Sequence, residues 1–130
     1  MNLVSLDSNI VLRLILNDVP DQSAKAAAFV GLTECYITDV VVVECVFVLE
    51  KVYKLDRDYI VGLMSMLFKL EKVAVNEVTI KKALNLYRRW KPLSFADCYT
   101  LVEAMRTGNE LVTFDQTLLK KAGVNAREPK

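Results

Sequence analysis

The chain has 130 residues, 53% of them hydrophobic and 25% charged, which suits one compact domain with a continuous core. It contains no histidine, and this excludes Ser-His-Asp and Cys-His nucleophiles, histidine general bases and every His-ligated metal site. A net charge of +1 excludes a large overall basic excess, so any polyanion has to be met by a local patch. Hydrolysis by such a chain would have to run on carboxylates and a hard cation.

The first apolar run, residues 3–6, reads as a strand and leads into helix-period residues 8–16. Pro20 opens a second helical stretch at 21–32. Residues 36–38 read as a strand followed by a helix at 40–53, with Asp39 as its N-cap, and a further helix covers 56–71. A third strand at 73–75 precedes helices at 77–90 and 95–107. A fourth strand at 111–113 precedes a helix at 116–122, and 124–126 reads as a weaker fifth strand. No repeat or Gly/Ser linker divides the chain, so a single domain over residues 1–130 is expected. Strands separated by a dozen or more helical residues predict crossover connections, hence a mostly parallel sheet flanked by helices.

Cys35, Cys45 and Cys98 cannot all pair within the chain and show no CxxC spacing, so they read as small buried hydrophobes in a reducing cytoplasm. No positively charged leader precedes an apolar stretch, and no apolar run approaches the roughly 20 residues that span a bilayer. A cytoplasmic protein without membrane contact is expected.

Parallel sheets bind ligands beyond the carboxyl ends of their strands. Asp7 directly follows the first strand and Asp115 follows the fourth, although either is explained equally well as a helix N-cap. Asp97, in Leu93-Ser94-Phe95-Ala96-Asp97, fits a Ser-x-x-Asp variant of the capping box. Glu44 is harder to explain structurally. On a helix its neighbours three and four positions away are Val40, Val41, Phe47 and Val48, all apolar. A buried carboxylate there would cost several kcal/mol unless a cation or strong hydrogen-bond partner meets it. Only Lys51 stands near enough in sequence to serve.

The segments Leu6-Asp7-Ser8-Asn9-Ile10, Glu44 in an early helix, Phe95-Ala96-Asp97 and Leu111-Val112-Thr113-Phe114-Asp115 occur in an order and spacing that resemble the PIN-domain nucleases. Within that family they resemble the VapC-type toxins of toxin–antitoxin pairs. The family more often has threonine at Ser8 and a polar residue within the run 40–43; Ser8 keeps the hydroxyl. The resemblance implies a three-layer α/β/α sandwich around a central, mostly parallel sheet of about five strands. It also implies that Asp7, Glu44, Asp97 and Asp115 ligate Mg²⁺ or Mn²⁺, with Asn9 and Thr113 as polar supports, and that the activity is endonucleolytic cleavage of RNA to a 5′-phosphate and a 3′-hydroxyl. Oxygen ligands suit such hard ions.

Basic residues must then line the approach of the RNA backbone. Arg13 lies nearest Asp7 in sequence, with Arg88, Arg89, Lys91, Lys120 and Lys121 as further candidates and Trp90 and Tyr99 available for stacking. The toxin resemblance further implies a homodimer and a cognate antitoxin. The competing readings are a housekeeping nuclease, a non-catalytic PIN-like RNA-binding module and a phosphatase-like α/β domain. The last would need a second acid two residues beyond the first, where this chain has Asn9.

Overall fold

The computed structural model describes residues 3–130. Its contacts divide the chain into two compact units, one ending at Asn76 and one running from Glu77 to Lys130. The fold class is α/β, with seven α-helices and parallel strands among the described residues. No helix among them is long and apolar enough to cross a membrane.

The first unit contains β1 (Val4–Ser5), α1 (Ser8–Ile15), α2 (Pro20–Leu32), β2 (Cys35–Ile37), α3 (Asp39–Lys51), α4 (Arg57–Phe68) and β3 (Val73–Val75). The strands form a parallel sheet in the order β1-β2-β3, each connection returning through two helices. In the central strand, Cys35 and Ile37 point into the core and are fully buried, as alternation along a pleated strand requires. Val11 from α1, Val42, Val46 and Leu49 from α3, and Ile60 and Met64 from α4 complete that core. The Leu6 N–H donates to the Tyr36 carbonyl at 3.0 Å, carrying the ladder to the residue before Asp7. Asp7, Asp39 and Asn76 therefore follow the carboxyl ends of three adjacent parallel strands, and Asn76 Nδ2 donates to Asp39 Oδ2 at 3.0 Å.

The second unit contains α5 (Glu77–Arg89), α6 (Phe95–Thr107), β4 (Leu111–Val112), α7 (Gln116–Ala122) and β5 (Ala126–Arg127). The two longer helices pack as a hairpin over Ile80, Tyr87, Leu93 and Leu101. Tyr87 and Phe95 meet edge to face, with centroids 5.6 Å apart. Ser94 caps α6, its Oγ accepting the Asp97 N–H at 3.1 Å. Gly108 closes the helix in the left-handed conformation, where a Cβ would be strained. Ser94→Ala is expected to cost about 1 kcal/mol, read as a lowered urea midpoint.

Helices and strands fall within a few residues of their sequence-predicted places, with three differences. The N-cap of α3 is Thr38, whose Oγ1 accepts the Val41 N–H at 3.3 Å; Asp39 is the first helical residue because the helix begins one position early. The last strand begins at Ala126, since Gly123–Asn125 close a 3₁₀ turn that leaves Val124 95% exposed. Finally, the strands are five and parallel, but among the described residues they form a three-stranded and a two-stranded ladder in place of one five-stranded sheet. The local reason is in the second unit, where β4 and β5 pair with each other, fastened by the Thr113 N–H on the Arg127 carbonyl and by the Arg127–Glu110 ion pair.

Candidate active site

Asp7 occupies the N-cap position of α1, yet its side chain makes no capping bond; the main-chain carbonyl alone receives the Ile10 and Val11 N–H groups. The carboxylate is exposed and idle, which removes the simplest structural reason for an acid at this junction. On α3, Cys45 is buried against the first turn of α1, its Sγ lying 4.0 Å from the Ser8 carbonyl oxygen. That contact brings Glu44 to the same place. Burial chiefly, then the negative charges of Glu44 and Asp7, push the Cys45 thiol up to about 12. Asp7 and Glu44 thus each stand next in sequence to a residue of this α1–α3 contact. Neither makes a salt bridge or accepts a side-chain hydrogen bond among the described residues.

Glu44 departs from the sequence reading in one respect: it is exposed. Helix α3 is apolar nearly all round, so apolar neighbours do not imply a core face. Its buried side carries Val42, Cys45, Val46 and Leu49, whereas Val40 and Phe47, flanking Glu44, are 76% and 59% exposed. Lys51 does not reach Glu44 and pairs with Glu50 at 3.5 Å.

Asp97 and Asp115 lie in the second unit. Asp97 sits in the first turn of α6, half-buried, with its N–H held by Ser94. Half of the expected capping box is present: among the described residues no bond returns from the Asp97 carboxylate. Asp115 is an N-cap in full, Oδ1 accepting the Leu118 N–H at 2.9 Å. Thr113 Oγ1 accepts the Asp115 N–H at 3.0 Å, so the expected support acts on the main chain of the acid. No group of three or more His, Cys, Asp or Glu able to hold a metal ion is found among the described residues.

Beside Asp7 the first unit opens a cleft of about 750 Å³, lined by Asp7, Asn9, Ile10, Arg13, Lys25 and Phe29 among others. Arg13 is only partly available there. Its Nη2 donates to the Tyr53 hydroxyl at 3.2 Å and pairs with Asp18 at 3.5 Å, while Tyr53 itself donates to Asp18. Its Nε is buried with no acceptor. Lys25, an exposed cation in the same cleft, escaped the sequence reading. It is the lone cation of the Ala-rich helix α2, but only packing of α2 against α1 brings it toward Asp7.

The PIN domain family model matches residues 4–124, nearly the whole chain and both units. The chain belongs to the PIN domain family. PIN domains are in general metal-dependent nucleases, and the alternation of parallel strands and helices agrees with a PIN-like α/β/α sandwich. Comparison with curated proteins returned no match. PIN domains typically bind Mg²⁺ or Mn²⁺. In the first unit, Asp7 and Glu44 offer exposed carboxylate oxygens committed to no other side chain among the described residues, the donor type that such hard ions take.

Because the folded Cys45 thiol ionises well above the ordinary value near 9, its contribution to stability is complete below about pH 9 and is lost as pH rises toward 12. Urea melts of the wild type and Cys45→Ala at pH 8, 9 and 10 should show the stability gap between them narrowing above pH 9, at up to about 1.4 kcal/mol per pH unit. A gap that stays constant with pH contradicts the burial of the thiol between α1 and α3.

Proposed function

We propose that this PIN domain is an Mg²⁺- or Mn²⁺-dependent endoribonuclease and the toxin of a toxin–antitoxin pair. The observation that carries the reading is that the carboxylates of Asp7 and Glu44, each next in sequence to a residue of the Ser8–Cys45 contact between α1 and α3, have no structural employment. Exposed carboxylates without a protein cation as partner supply the oxygen donors that a hard divalent ion takes. Asp97 and Asp115 complete the ligand set in this reading, as the resemblance of the motifs implies, and the family match covers all four acids.

Asp7 and Glu44 would hold the ion, which when bound would supply Lewis acidity toward a phosphodiester oxygen and an attacking water. The Asn9 amide, in the cleft beside Asp7, orients the substrate or a carboxylate. Lys25 and the free edge of Arg13 draw a phosphate into that cleft against the repulsion of the acids. Thr113 fixes the main chain of Asp115 so that its carboxylate keeps one position.

The toxin role rests on the resemblance of the motifs to VapC-type proteins. A homodimer and a cognate antitoxin are supported by the exposed apolar residues Val40 and Phe47 on α3 and Ile10 and Phe29 in the cleft, which a partner would cover. Incubating purified protein with structured RNAs and Mg²⁺ or Mn²⁺ should give cleavage that EDTA stops. Toxicity on expression, relieved by the product of an adjacent small gene, separates the toxin from a housekeeping nuclease; the absence of both toxicity and relief contradicts the toxin role.

A further inference from the structure

The second unit has a groove of its own, of about 420 Å³, between α5 and α6. Lys82, Asn85 and Arg89 line it from α5 and Arg106 from α6, over a floor that includes Leu86 and Met105. Lys82, Asn85 and Arg89 recur at helical spacing, so one face of α5 presents two cations about 10 Å apart along the axis with an amide between them. Lys82 and Arg89 are exposed and make no ion pair among the described residues. Arg106 is held by Glu103 at 2.7 Å, which fixes its guanidinium at the groove edge. No carboxylate lines the groove.

The charge of the chain supports the same surface. From Glu77 onward ten Lys and Arg face six Asp and Glu, whereas up to Asn76 seven face ten. The small net charge conceals a basic second unit joined to an acidic first one. Met105, 49% exposed on the groove floor, adds an apolar surface of the kind on which a sugar or base settles.

We propose that the α5–α6 groove binds the phosphate backbone of single-stranded RNA, independently of sequence, and shares no residue with the carboxylate site. The two unpaired cations Lys82 and Arg89, beside an apolar floor, match a chain of phosphates bearing apolar faces. The proposal rests on the nuclease reading for the identity of the polyanion. The groove would hold a flanking part of the substrate and lower KM without touching the reacting phosphate.

The test uses the full chain carrying Asp7→Asn, in EDTA, with a labelled single-stranded oligouridylate read by fluorescence anisotropy at several KCl concentrations. Lys82→Ala/Arg89→Ala is expected to weaken binding roughly tenfold at low salt and to flatten the plot of log K against log[salt] by about 1.4, two single-strand phosphate contacts. Both residues are exposed, so melting should be unchanged. Lys54→Ala/Lys69→Ala, a matched removal of two exposed charges from the first unit, should do far less. Equal effects of the two pairs overturn the proposal, as does an acidic peptide that binds as tightly as RNA at the same salt. In the unmutated active-site background the groove variant should raise KM with kcat retained. Cleavage with KM unchanged sinks the groove and leaves the nuclease reading standing, whereas groove-dependent RNA binding without any cleavage does the reverse.

Discussion

Asp7→Asn and Glu44→Gln are each expected to reduce EDTA-sensitive RNA cleavage by at least about a hundredfold while leaving the protein as stable as before. The size follows from the task of the ion: several kcal/mol of charge stabilisation are at stake, and each 1.36 kcal/mol is tenfold in rate. The undiminished stability follows from the structure, because the Asp7 carboxylate caps nothing and Glu44 is exposed and unpaired among the described residues. Substitution of such groups changes stability by no more than about 0.5 kcal/mol. Asp115→Ala is different in kind. It removes the bond to the Leu118 N–H and should cost about 1 kcal/mol in addition to any activity, so its kinetic effect has to be read at a temperature where the variant is fully folded. Single-turnover cleavage and urea denaturation on the same preparations separate the two effects. Full cleavage by both Asp7→Asn and Glu44→Gln sinks the site assignment.

The largest loss of stability is expected at Phe95→Ala, about 3–5 kcal/mol by urea denaturation. Phe95 is almost fully buried at the first position of α6, and its ring meets Tyr87 of α5 edge to face, so truncation leaves a cavity and forfeits an aromatic pair. The same ring fixes the start of the helix that carries Asp97. A milder Phe95→Leu should retain most of the stability, and a loss as large as that of alanine would mean that ring geometry, more than volume, holds the α5–α6 hairpin together.

The order of elements was legible in the sequence because hydrophobic period and junction residues are local signals. The alternation of short apolar runs with helix-period stretches placed the seven helices found among the described residues, and the junctions at Ser94 and Asp115 declared the starts of α6 and α7. The family was legible for a related reason: four short motifs in fixed order are a property of the chain, whatever its packing. The absence of histidine likewise restricts hydrolytic chemistry to carboxylates.

What each acid does locally was decided only by the tertiary structure. Asp7 and Asp115 stand at similar strand-to-helix junctions, yet one caps its helix and the other does not, since capping depends on a side-chain rotamer that no neighbouring residue type dictates. Glu44 appeared buried because its helical neighbours are apolar. Burial depends on what packs over those neighbours, and Val40 and Phe47 are left open to solvent. The contact of α1 with α3 joins Ser8 to Cys45, residues 37 positions apart in the chain and next in sequence to Asp7 and Glu44, and the α5–α6 groove arises from a helix hairpin. The sequence determined which side chains are present and the order in which their elements follow. Packing between elements, acting through space, determined which of those side chains meet and which remain free to bind something else.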